Sequence, residues 1–135
     1  MVLRWALALL LVLCGFVVAG MLGGFITDFA GLWHLPGAGF SAAFAVVVVA
    51  YLTAPSHKLG SATIALILGA IAAWLLLEPS FYPESYGDRD AYQPTHLPII
   101  ATYIGGFLGL VAAALIRRWA GPNNSFKPNP HQGGA

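Results

Sequence analysis

Four apolar stretches run through this chain, at about residues 5–26, 35–54, 59–77 and 97–116, and no charged side chain stands inside any of them. At 1.5 Å per helical residue, about 20 residues cover the ~30 Å hydrocarbon core of a bilayer. Lipid offers the backbone no hydrogen-bond partners, so each stretch must satisfy its own N–H and C=O groups, which a helix does and a lone strand cannot. Even the β-branched block Val46 to Val49 is therefore expected to be helical. Composition points the same way: 59% of the 135 residues are hydrophobic and 8% charged, against about 25% charged in a soluble domain. The expected fold is all-α. It is a polytopic membrane protein with four transmembrane helices in a compact bundle over residues 1–120, an outer loop at 78–96 and a disordered cytoplasmic tail at 121–135.

Prolines mark the joints. Pro36 and Pro98 suit first helical turns, whereas Pro55 and Pro79 stand where the second and third spans should stop. A cleaved signal peptide is the rival reading of the first span, with Val17 and Ala19 before the cut. That apolar run, Trp5 to Ile26, is longer than the ~7 to 15 residues of such a region, which favours an uncleaved helix. The single cysteine, Cys14, lies within it and leaves no partner for an intramolecular disulfide, a CxxC pair or a zinc cluster.

Threading follows from the basic residues. Arg4, Lys58, Arg117, Arg118 and Lys127 fall on one side of a four-span path and Arg89 alone on the other, so both termini are expected on the cytoplasmic side. Trp5 and Trp119 then mark the inner interface, Trp33 and Trp74 the outer one. The formal net charge of +1 gives no reason to expect nucleic acid. Expected contacts are the lipid bilayer and either a second copy of the chain or a membrane protein partner.

Small residues recur every fourth position in three spans, namely Gly15, Ala19 and Gly23, then Ser61, Ala65, Gly69 and Ala73, then Ala101, Gly105, Gly109 and Ala113. Burying apolar surface gains little when the solvent is lipid, so close backbone approach along such stripes is the expected means of packing. Leu110, about 100° around from Gly109, is expected to turn toward lipid.

Chemistry is confined to the outer end. No Asp, Glu, Lys, Arg or His lies at the midplane, where ionisable groups mark proton and ion paths, and this argues against a proton-coupled carrier. Asp28, His34, Glu78 and His96 stand at helix ends on the outer rim; converging, they could form a metal site or an acid and base pair, but no two share i, i+3 or i+4 spacing. No cofactor, catalytic group or metal is assigned, and interfacial capping is the plainer role. The loop's Tyr82, Tyr86, Asp88, Arg89, Asp90 and Tyr92 form a candidate contact surface, the rings anchoring either a protein partner or the loop itself on headgroups.

Two short likenesses complete the reading. The stretch NNSFKPNP, Asn123 to Pro130, resembles tails translated from recombination sites of integron gene cassettes, which implies a mobile bacterial gene. The body, with YPES at Tyr82 to Ser85 and YQPTHLP at Tyr92 to Pro98, resembles small uncharacterised four-span inner-membrane proteins of gammaproteobacteria, and that likeness carries no functional residues. The first expectation is a non-enzymatic inner-membrane protein whose outer loop meets a partner or the membrane surface. The alternatives are an oligomeric small-solute conduit and a membrane enzyme using the outer-rim His and carboxylates.

Overall fold

The computed structural model of the protein describes residues 1–84 and 91–121. Four helices follow in order, the first three joined by short connections and the last by the longer segment 78–96: α1 (Val2–Phe29), α2 (His34–Thr53), α3 (Lys58–Leu77) and α4 (Leu97–Trp119). All four are long and apolar enough to cross a membrane. The ends of α1 and α4 run beyond the apolar stretches. In the last turn of α1, the Thr27 hydroxyl shares its proton between the Gly23 and Gly24 carbonyls, both at 2.9 Å. Arg117 and Arg118 fill the last turn of α4, where cations oppose the negative end of the helix dipole.

The helix α2 is the hub. It packs against each of the other three, α3 also packs against α4, and α1 leans principally on α2. Side-chain size is sorted in the reverse of a soluble core. Ala62, Ala73, Gly105, Gly109 and Ala113 are buried, whereas Phe16, Phe25, Ile64, Leu68, Ile71 and Phe107 face outward. Lipid solvates the large side chains as well as a core would, so van der Waals contact between close backbones becomes the stabilising force.

The α2–α4 seam is the tightest part. A Cβ at Gly105 would overlap the Phe40 carbonyl oxygen, and one at Gly109 would come within 2.9 Å of the Phe44 oxygen and 3.1 Å of the Val47 Cβ. Beside this seam Val47, Tyr51, Ala62 and Ala113 form a buried cluster, against which Leu59, Leu66 and Leu110 pack. Leu110 thus does not turn to lipid as its offset from Gly109 suggests. Because α4 has α2 on one side and α3 on the other, its inward face is wider than one stripe.

On the α1–α2 seam, Gly15 sits against Val49, with 3.2 Å between its would-be Cβ and the Val49 Cγ2, and Gly23 covers Ser41. The third span departs from the expected register. Ala73 is buried, yet Ala65 is only half-buried and nothing lies within 4 Å of where a Gly69 Cβ would stand. The α3 side chains that meet α4 lie elsewhere: Leu66 reaches over Gly106, and Ala62 is fully buried in the cluster.

The connection between α3 and α4 begins and ends as a small hairpin of β1 (Ser80–Phe81) and β2 (Pro94–Thr95), antiparallel, with Ser80 opposite Thr95 and Phe81 opposite Pro94. Two further bonds extend it, Tyr82 N–H to the Gln93 oxygen at 3.1 Å and Tyr92 N–H to the Tyr82 oxygen at 3.0 Å. This pairing is legitimate outside the hydrocarbon, where water meets the open edges. Tyr86, Asp88, Arg89 and Asp90 and nearly all of the tail lie outside the described residues.

Candidate functional site

The end of the bundle that carries the hairpin is built from helix ends. Asp28, near the last residue of α1, is exposed; the chain then turns through Gly31 at φ +72°, a left-handed conformation in which a Cβ is strained. Trp33 follows in extended conformation and starts α2 at His34, also exposed. Glu78 ends α3, and His96 precedes α4 in an exposed position. Among the described residues, no three His, Cys, Asp or Glu side chains are grouped to hold a metal ion. Asp28, His34 and His96 instead stand exposed at separate helix ends.

Glu78 differs from the other three. It is half-buried, and one carboxylate oxygen, Oε2, is shielded without a hydrogen-bond partner among the described residues. A carboxylate oxygen in that state lacks the donors that ordinarily offset its dehydration.

Aromatic contact organises the surface above this end. The Trp33 ring meets Tyr82 at 5.7 Å between centroids, tilted by 46°, and so ties the α1–α2 connection to the hairpin. Such a pair contributes about 0.5 to 1.5 kcal/mol beyond its buried area. Tyr82 is thereby half-buried, while Tyr92, held at φ +62°, and Phe81 are exposed at 64% and 50%. Phe81 was not among the residues expected to form a contact surface. Its placement depends on strand pairing, for which two-residue segments leave little pattern.

Below the hairpin, a groove of about 460 Å³ opens between α1 and α3, floored by α2 and α4. Phe16 and Met21 line one wall, Gly69 and Ala73 the other, with Val46 and Tyr103 among the residues between them. Its walls are almost wholly apolar. The two hydroxyls at its floor are already used, Thr102 donating to the Pro98 carbonyl at 2.7 Å and Tyr103 to the Ala70 carbonyl at 3.3 Å. The groove therefore suits hydrocarbon rather than a polar solute. Comparisons with protein-family models, with curated proteins and with solved structures found no match to this chain.

Proposed function

We propose that the protein is a non-enzymatic component of a bacterial inner membrane, with both termini in the cytoplasm, whose outer hairpin docks a membrane protein partner. The observation that carries this reading is the Trp33–Tyr82 contact, which holds the base of the loop against the bundle while Phe81 and Tyr92 project from it. An anchored platform with exposed rings binds at low entropic cost, because few rotamers are lost on contact. The basic residues at the opposite helix ends support the orientation, and the cassette-like tail supports a bacterial, mobile gene. The conduit reading draws less support, since the groove's hydroxyls already donate to backbone carbonyls.

Photo-crosslinking in intact cells tests the reading. A benzophenone side chain at Phe81 or Tyr92 is expected to give one discrete protein adduct, and the same group at the lipid-facing Leu108 none. Adducts to lipid alone at all three positions would assign the rings to headgroup anchoring and remove the docking role.

A further inference from the structure

The opposite end of the bundle holds a recess of about 480 Å³, lined by Tyr51, His57, Lys58, Leu59, Gly60 and Arg117. Three helices meet there: α2 brings Tyr51 just before its end, α3 starts at Lys58, and α4 brings Arg117 in its last turn. Two cations from different helices thus share one concavity. Among the described residues neither has an ion-pair partner, and the carboxylates Asp28, Glu78 and Glu84 all belong to the other end.

The start of α3 adds donors to these charges. His57 precedes it in a left-handed conformation, φ 47° and ψ 45°, and no side chain caps the helix. The first bond back runs from the Ser61 N–H to the His57 oxygen at 2.9 Å. The N–H groups of Lys58, Leu59 and Gly60 come before it, at the positive end of a 20-residue helix. An independent observation points to a ligand. Tyr51 is only 7% exposed and packs within the Val47, Ala62 and Ala113 cluster, yet its hydroxyl has no hydrogen-bond partner among the described residues although it belongs to a recess wall. The ring is packed away while the hydroxyl stays accessible at the recess, so its donor is free for whatever occupies it.

We infer that this recess binds the phosphate of an anionic lipid headgroup in the adjoining leaflet. Lys58 and Arg117 neutralise the charge, the Tyr51 hydroxyl and the α3 N–H groups donate to phosphate oxygens, and the acyl chains run down the exposed apolar flank of the bundle. A lipid is the fitting source because the recess lies at helix ends, at the depth where headgroup phosphates are concentrated, and basic pockets between spanning helices select such headgroups. Only the spanning bundle is needed for this; the role of the hairpin does not enter.

Lipid retention by the full chain, purified in detergent and read by native mass spectrometry, tests the assignment. The wild type is expected to keep phosphatidylglycerol in preference to phosphatidylcholine. Tyr51→Phe, Lys58→Gln and Arg117→Gln should each weaken that retention about tenfold, the size expected for one hydrogen bond to a charged group. Arg118→Gln removes the same charge one residue away, outside the recess, and is expected to retain the lipid as wild type does. Tyr51→Phe deletes one oxygen without changing shape, and its lipid-free unfolding midpoint checks that the fold is kept. Equal loss in Arg118→Gln and Arg117→Gln would reduce the effect to diffuse surface charge and overturn the site, as would full retention by Tyr51→Phe. Release of the lipid by millimolar inorganic phosphate would overturn the lipid assignment in favour of a free anion.

Discussion

The Ser41 Oγ on α2 lies 2.8 Å from the Ala19 carbonyl oxygen on α1, and the bare backbone of Gly23 closes over it. The same hydroxyl is within 2.8 Å of the Gly37 oxygen in its own helix, so its single proton is shared between a bond within α2 and one across the seam. This is the polar stitch that joins α1 to the hub.

Gly23→Ala is therefore expected to be costly. The added methyl would meet Ser41 Oγ and would stand 2.6 Å from the Gly37 oxygen, whereas a methyl at Gly20 would find the Ala42 Cβ at 3.4 Å, an ordinary contact. Unfolding in detergent should show a loss of about 1 to 3 kcal/mol for Gly23→Ala. Gly20→Ala should remain near wild type. Equal midpoints for the two would mean that α1 rides loosely on α2.

The α2–α4 seam makes a sharper contrast with α3. Gly105→Ala drives a methyl into the Phe40 carbonyl, and backbone cannot give way as a side chain can; Gly109→Leu is expected to be at least as severe. Gly69→Ala has open space before it, so it should be neutral or slightly stabilising by virtue of alanine's higher helix propensity, about 1 kcal/mol at most. Leu110→Ala removes packing from the buried cluster and should cost about 2 kcal/mol or more. Leu108→Ala, on the exposed side, should cost much less. Comparable loss at Gly69 and Gly105 would contradict the groove.

Orientation is open to chemical labelling. In a Cys14→Ala background, a cysteine at the exposed Tyr92 should react with an impermeant maleimide in intact cells, and one at Ser56 only after the membrane is opened. The reverse result would invert the threading. Labelling at both positions would break the four-span path.

Loosening the hairpin is the fourth expectation. Trp33→Ala and Tyr82→Ala, compared with the double substitution, should show a coupling of about 0.5 to 1.5 kcal/mol, and each single change should speed proteolysis within residues 78–96. Strictly additive effects would mean that the rings touch without holding the loop.

The spans were legible because a single property, an uncharged run of about 20 residues, decides them in lipid. Pro36, Pro79 and Pro98 then placed their ends to within about three residues, the usual uncertainty of helix boundaries. The glycines of α1 and α4 were legible for a related reason: a stripe at four-residue spacing has one plausible use between helices. Gly69 shows the limit, since the same spacing borders an open groove on α3, and whether a second helix lies opposite is set by distances that no local pattern encodes. Leu110 shows another, because a helix with two neighbours buries more than its stripe. Lys58 and Arg117 were readable as signals of threading, but their shared recess required the ends of α3 and α4 to be set beside Tyr51. Glu78 was grouped with Asp28, His34 and His96 by position alone, and only its surroundings distinguish it.

The hub position of α2 imposes an order on biogenesis. Synthesis delivers α1 and α2 first, and their seam can close as soon as both have entered the bilayer, since only a four-residue connection separates them. The other flank of α2, where Phe40, Phe44 and Val47 await Gly105 and Gly109, has no occupant until α3, the loop after it and α4 have all emerged. Throughout that interval the paired α1 and α2 present an unfilled surface. Any nascent chain that pauses within the loop leaves that surface uncovered for longer.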